Sequence, residues 1–161
     1  MLNTLKRGSV AGAAGGAMMA MFAMIATAIT GDGFWAPVNA IAHTAWNGAP
    51  LDGSFSGGAL VLGMLVHMAT AMMLGAGIAV LLSHTGSRTN KVMTATVAAT
   101  GAWLAQLAIW PAIDQAGADS MPQWILLVGH IIFGMTAGVL LAVTPEHRHH
   151  RVGRPVVTVA T

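Results

Sequence analysis

The chain contains no cysteine, and only 7% of its 161 residues carry a charge. Without cysteine it cannot form a disulfide, a thiolate nucleophile, or an iron–sulfur or zinc–thiolate site. The low charge and the 55% hydrophobic content argue against a disordered chain. The net charge of +2 is small, and the bases are spread thinly, so we expect no nucleic-acid partner.

Four long apolar runs make up most of the sequence. They cover residues 9–30, 58–82, 92–113 and 122–143, and each exceeds the roughly 20 residues that a helix needs to cross about 30 Å of hydrocarbon. Only helices satisfy their own backbone hydrogen bonds in lipid, and the runs are too long for barrel strands. The sequence therefore predicts an all-α integral membrane protein, a four-transmembrane-helix bundle over residues 1–144, followed by a basic cytoplasmic tail over 145–161.

The charged side chains divide between the two ends of this predicted bundle. Short loops that carry Lys and Arg are retained on the cytoplasmic side of the membrane, so the positions of these residues predict the orientation of the spans. The bases lie before the first run, between the second and third, and after the fourth: Lys6, Arg7, Arg88, Lys91, Arg148, Arg151 and Arg154. The other two connections hold four of the five acids: Asp32, Asp52, Asp114 and Asp119. We expect a bacterial inner-membrane protein with both termini in the cytoplasm, next to anionic lipid.

The first run also has features of a signal peptide. Lys6 and Arg7 precede it, and Ala26-Thr27-Ala28 is similar to a cleavage site. However, the run is longer than the 7–15 apolar residues typical of such peptides. Its glycines recur every fourth residue, at Gly8, Gly12 and Gly16, which suits close packing of helices. We therefore expect this span to be retained.

The first outer connection contains a further helical pattern. Pro37 suits a first helical turn, the apolar residues after it follow at helical spacing, and Gly48 supplies a stop. Trp35 and Trp46 bracket the segment, and tryptophan is enriched at membrane–water interfaces. We predict a short interfacial helix over about 37–47.

The second and fourth spans share a pattern. His67, Ala71, Met72 and Gly75 recur as His130, Gly134, Met135 and Gly138, with identical spacing. Each half of the chain contains two spans, so the halves would be related by an axis along the membrane normal, as in some transporters. The sequence predicts two tandem two-helix repeats.

The repeated histidines are the main candidates for a binding site. Each lies about nine residues, or roughly 13 Å, inward from the outer end of its span, and on a row of small residues that faces other helices. One interpretation is a pair of neutral imidazoles that only form hydrogen bonds across the bundle. A second is bis-imidazole ligation of a b-type haem, and a third is a quinone or proton-relay site. The candidate cofactor-binding residues are His67, His130, Met72, Met135, Gly75 and Gly138.

Other candidate metal ligands are weaker. His43 lies in the outer connection, and His147, His149 and His150 alternate with arginines whose charge repels a metal cation. The thioethers of Met18, Met19, Met21 and Met24 are soft ligands that suit Cu(I), but they diverge around the helix, so we expect them to pack in the core.

Catalysis finds no support in the sequence. No Asp, Glu, Lys, Arg or Cys lies inside a span, and, apart from Gln123 at the edge of the fourth run, Gln106 is the one strongly polar side chain there besides histidine. We therefore expect an accessory or structural membrane protein without its own catalytic site, which acts with a partner subunit or a second copy. The alternative is a haem-binding or quinone-interacting electron-transfer subunit, and a third hypothesis is a pore for a small solute or metal ion.

The first span and the segment from Gly129 to Gly138, Gly-His-Ile-Ile-Phe-Gly-Met-Thr-Ala-Gly, carry a resemblance. This pattern is similar to that of several families of small, uncharacterised bacterial inner-membrane proteins with four spans. It covers about a quarter of the chain. The resemblance implies the location of the protein and transfers no activity.

Overall fold

The structure is a computed structural model that describes residues 1–143, apart from the side chain of His84. This part of the chain is all-helical and contains no strand. Its α-helices are α1 (Leu2–Thr30), α2 (Ala36–His43), α3 (Gly57–Leu81), α4 (Arg88–Ile113), α5 (Gln115–Asp119) and α6 (Gln123–Val143). A single 3₁₀ turn, Leu82–His84, follows α3. The predicted basic tail over 145–161 lies outside the described residues.

Four of these helices, α1, α3, α4 and α6, are long and apolar enough to cross a membrane. They coincide with the four predicted runs, so the prediction of an all-helical chain with four candidate spans is confirmed. Their length and composition are those of a multi-pass membrane protein.

The short outer helix α2 ends at His43, earlier than the predicted 37–47. Beyond it, the Thr44 hydroxyl donates to the carbonyl of Ile41, and the Ala45 N–H bonds to Ala42 instead of to Ile41. The side chain of Thr44 thus takes the carbonyl that would continue the α-helix, and the chain tightens into a turn.

Helices α1 and α3 pack antiparallel and very closely. A Cβ at Gly12 would overlap the backbone of Ala71 and Gly75, and one at Gly75 would overlap the backbone of Gly8 and Gly12. Glycine is therefore needed at both positions for the backbones to approach. Small residues at a helix interface are typical of helices that associate in lipid, where dispersion contacts replace the hydrophobic effect.

The second pair, α4 and α6, is built in the same way. A Cβ at Gly134 would meet the backbone of Ala95 and Thr96, and one at Gly138 would meet Val92. The two pairs are joined by α1 and α6, where Gly15 faces Phe133. The helices are thus ordered α3–α1–α6–α4, and the two outermost helices, α3 and α4, hardly touch each other.

At the end of the bundle that carries the four aspartates, which was predicted to face outward and is called the outer end below, the short helices lie across the space between α3 and α4. Helix α2 packs on α3, where Val38 faces Gly63, and α5 approaches α2 where Gly117 faces the carbonyl of Ala40. At the opposite end, Arg7 and Lys91 line the same small recess. The antiparallel pairs therefore bring the bases of the described residues to one end and the four aspartates to the other.

Candidate functional site

A cavity of about 380 Å³ lies between α3 and α4. Its floor is formed by α1 and α6, and α2 covers its outer end. Most of the lining is apolar, with Met19, Leu74, Ile109 and Phe133 among the larger side chains. Helices α3 and α4 hardly touch, and lining residues on both of them, Thr70 and Ile109, are exposed. The cavity therefore opens sideways between these two helices, onto the apolar surface of the bundle.

His67 lines this cavity from α3, about ten residues, or roughly 15 Å, from the outer end of the helix. It is 9% exposed. Its Nε2 atom donates a hydrogen bond of 2.9 Å to the carbonyl oxygen of Gly16 in α1. A buried imidazole that forms a hydrogen bond between two helices was one of the interpretations made from the sequence.

His130 lines the cavity from α6 and is 6% exposed. Its hydrogen bond differs from that of His67, because Nδ1 donates to the carbonyl oxygen of Leu126 in the same helix, at 2.8 Å. The two imidazoles make no hydrogen bond to each other, and both line the same cavity. The structure therefore brings the two predicted histidines to one cavity, in unlike hydrogen-bonding states.

Four other polar side chains line the cavity, and one of them, Thr44, donates its hydroxyl to the carbonyl of Ile41. Gln106 of α4 makes no hydrogen bond within residues 1–143. The Thr70 hydroxyl donates to the carbonyls of Val66 and His67, at 3.0 and 2.9 Å. Trp110 is buried, and its Nε1 finds no partner among the described residues. The cavity thus combines an apolar lining with a few polar groups, as small-molecule sites do.

The remaining predicted cofactor residues lie elsewhere. Met72 and Met135, expected at the pocket edges, are 41% and 51% exposed and do not line the cavity. Gly75 and Gly138, expected to leave room for a macrocycle, are covered by the backbones of α1 and α4. Both glycines lie where their helix packs on a neighbouring helix, so they serve helix packing.

His43 has a partner that the sequence did not reveal. Its Nδ1 lies 2.7 Å from Oδ2 of Asp114, and both side chains are largely buried, at 13% and 8% exposed. Burial raises the pKa of Asp114, but the Gly117 N–H and the His43 imidazole lower it by more, so the pKa lies below the usual 3.8. The pair connects α2 to the start of α5 at the outer end of the cavity.

Asp114 also caps α5, because its Oδ1 accepts from the Gly117 N–H at 3.0 Å. An Asp followed three residues later by Gly was the available signal for this turn, but α5 is only five residues long and was not predicted. No group of three or more metal-ligating side chains, counting His, Asp and Glu, occurs among residues 1–143. The candidates His147, His149 and His150 lie outside the described residues.

Comparisons with protein-family models, with curated proteins and with solved structures found no match to this chain. The resemblance to small bacterial inner-membrane families accordingly stays a prediction. A function can be argued only from the geometry of the cavity and from the distribution of charge around it.

Proposed function

We propose that this chain is a multi-pass protein of the bacterial inner membrane that binds a lipid-soluble ligand in the cavity between α3 and α4. Both termini lie in the cytoplasm, next to anionic lipid, and the protein acts as an accessory subunit without a catalytic site of its own. The orientation is supported by the bases at one end of the bundle, including Arg7 and Lys91, and by four aspartates at the other.

The single observation that carries the ligand proposal is the sideways opening of the cavity. An apolar space that faces the bilayer is accessible to molecules dissolved in lipid. Polar groups in lipid are costly unless they are bonded, yet the carboxamide of Gln106 makes no hydrogen bond within the described residues. A ligand with a small polar group and an apolar body would fill the space and bond these side chains.

The proposed tandem repeat gives a reason for the opening. Its units are α1–α3 and α4–α6, and in a symmetric pair the α3–α4 contact would match the α1–α6 contact. Phe133 follows His130 by three residues and packs on Gly15. The corresponding residue after His67 is Thr70, whose shorter side chain lines the cavity instead of closing it. The cavity therefore lies where one half carries a threonine in place of a phenylalanine.

This correspondence supplies the test of the proposal. Thr70→Phe places in the opening a side chain like the one that fills the equivalent contact between α1 and α6. The matched control is Met73→Phe on the same helix, because Met73 is 74% exposed and does not line the cavity. Protein purified in mild detergent would be extracted with organic solvent, and the bound molecules identified by mass spectrometry.

We expect the wild-type protein and Met73→Phe to retain the same lipid-soluble molecule in stoichiometric amount, and Thr70→Phe to lose it. Equal ligand content in all three proteins would refute binding in this cavity. The location is tested separately by reporter fusions. A fusion near Arg88 should report the cytoplasm and one near Gly48 the outer side, and the reverse result would overturn the orientation.

A further inference from the structure

The hydrogen bonds of the two histidines fix which ring nitrogens carry a proton. A carbonyl oxygen has no proton to give, so Nε2 of His67 and Nδ1 of His130 must both be donors, to Gly16 and Leu126. An uncompensated charge is unfavourable in an apolar interior, which favours neutral rings. The other nitrogen of each ring, Nδ1 of His67 and Nε2 of His130, therefore carries a lone pair and is an acceptor.

These two nitrogens make no hydrogen bond within residues 1–143, and both rings line the cavity. The hydroxyl of Thr70 adds a third acceptor, because its proton is already directed to the carbonyls of its own helix. Gln106 offers both an acceptor oxygen and donor N–H groups. The Nε1–H of Trp110 is a further donor, without a partner among the described residues, and the Thr44 oxygen is a further acceptor. The acceptor atoms of the two histidines, the two threonines and Gln106 still outnumber the donor nitrogens of Gln106 and Trp110, so the polar groups of the cavity complement a ligand that supplies protons to hydrogen bonds.

We infer that the ligand is a lipid-soluble molecule whose polar end carries hydroxyl groups, and a quinol is the probe that tests this. This rests on the proposed function, since it specifies what the cavity binds. A quinone has the same ring and the same tail, but its two carbonyls can only accept. Facing His67 and His130, these carbonyls would leave the imidazole lone pairs without a partner. The cavity should therefore discriminate the reduced from the oxidised form of one molecule.

The test uses three probes with a common ring and tail: decylubiquinol, decylubiquinone, and the dimethyl ether of the quinol, whose two added methyl groups remove both hydroxyl donors. Each is titrated separately into the wild-type protein in detergent, and bound ligand is counted by native mass spectrometry. The quinol is kept reduced with dithionite, which has no disulfide to attack because the chain lacks cysteine.

We expect the quinol to bind at least about tenfold more tightly than the quinone or the dimethyl ether. This ratio of affinities follows from the free-energy cost of leaving the acceptors of the cavity without a hydrogen-bond partner. In His130→Phe the ratio of the quinol affinity to the ether affinity should fall severalfold, and this ratio, rather than either affinity alone, is the readout. His130 suits this substitution because its own hydrogen bond lies within α6 and joins no other helix. Met135→Phe, exposed on the same helix, is the control and should keep the wild-type ratio.

The outcomes separate the two proposals. Equal binding of all three probes, abolished by Thr70→Phe, would overturn the preference for a hydroxyl donor and leave ligand binding in the cavity intact. Tighter binding of the quinone would overturn the preference too, and would assign the dominant contact to the N–H groups of Gln106. If no probe binds the wild-type protein, or if binding is unchanged in Thr70→Phe, both proposals fail.

Discussion

The carbonyl oxygen of Gly16 accepts a hydrogen bond of 2.9 Å from Nε2 of His67, which joins α1 to α3 at the level of the cavity. The ring can come this close because Gly16 has no side chain, and a Cβ there would overlap that of Ala71. One contact therefore fixes both the position of the imidazole and the ring nitrogen that is left as an acceptor. Four predictions follow from this and related contacts.

Replacing His67 should destabilise the bundle more than replacing His130. His67→Leu removes a hydrogen bond between two helices, for which about 0.6–2 kcal/mol is typical in membrane proteins. His130→Leu removes a bond to Leu126 within α6, where the carbonyl keeps its helical partner. The free energy of unfolding, measured by denaturant titration in detergent, should fall by about 1 kcal/mol more in the first variant. An equal loss in both would contradict the structural role given to the Gly16 contact.

The packing of α1 on α3 can be tested with two glycines on one helix. Gly75→Ala places a methyl group into the backbone of Gly12, whereas Gly77→Ala places it into open space. We expect Gly75→Ala to lower the free energy of unfolding by about 1–3 kcal/mol, the usual cost of overpacking. Gly77→Ala should be neutral or slightly stabilising, because alanine favours the helix. Thermal unfolding in detergent would measure both, and similar values would place the α1–α3 contact elsewhere.

The His43–Asp114 pair should make stability depend on pH at the acid end. The pKa of Asp114 in the folded protein lies below 3.8, so its ionised form stabilises the fold above that pH. This stabilisation is lost as the pH falls through the folded-state pKa. Asp114→Asn removes the charge but keeps an oxygen that can cap α5.

We therefore expect Asp114→Asn to unfold at a lower temperature than the wild type near neutral pH, with the difference shrinking as the pH falls below about 4. Thermal unfolding followed by circular dichroism across this range would measure it. A difference that is independent of pH would show that the carboxylate charge of Asp114 does not stabilise the fold. Asp114→Ala, which also removes the cap to Gly117, should be less stable than Asp114→Asn at every pH.

Visible absorption spectroscopy distinguishes the proposed cavity from a haem site. We expect protein produced with an adequate haem supply to show no Soret band. Nε2 of His67 is bonded to Gly16, and Gly75 and Gly138 are covered by neighbouring helices. If a band appears and is lost in both His67→Ala and His130→Ala, bis-imidazole ligation is correct and the His67 ring must turn away from Gly16 to bind.

Much of the architecture could be predicted because it depends on local properties of the chain. Hydropathy over about 20 residues predicts a spanning helix wherever it occurs, and all four candidate spans appear where they were expected. The repeated spacing around His67 and His130 likewise singled out the two residues that line the cavity. Met72 does not line the cavity, because it lies on another face of α3 than His67. A row of small residues in the sequence does not say which neighbouring helix covers it.

By itself, the sequence determined the number of spans, the end of the bundle that carries the bases, and the two buried imidazoles. Only the tertiary structure decided that α1 packs between α3 and α6 while α3 and α4 stay apart, and that His43 meets Asp114 across 71 residues of sequence. It also decided which nitrogen of each histidine is left as an acceptor. The physical reason is that hydropathy and charge act along each segment, whereas a cavity and a ring's free nitrogen depend on which helices become neighbours.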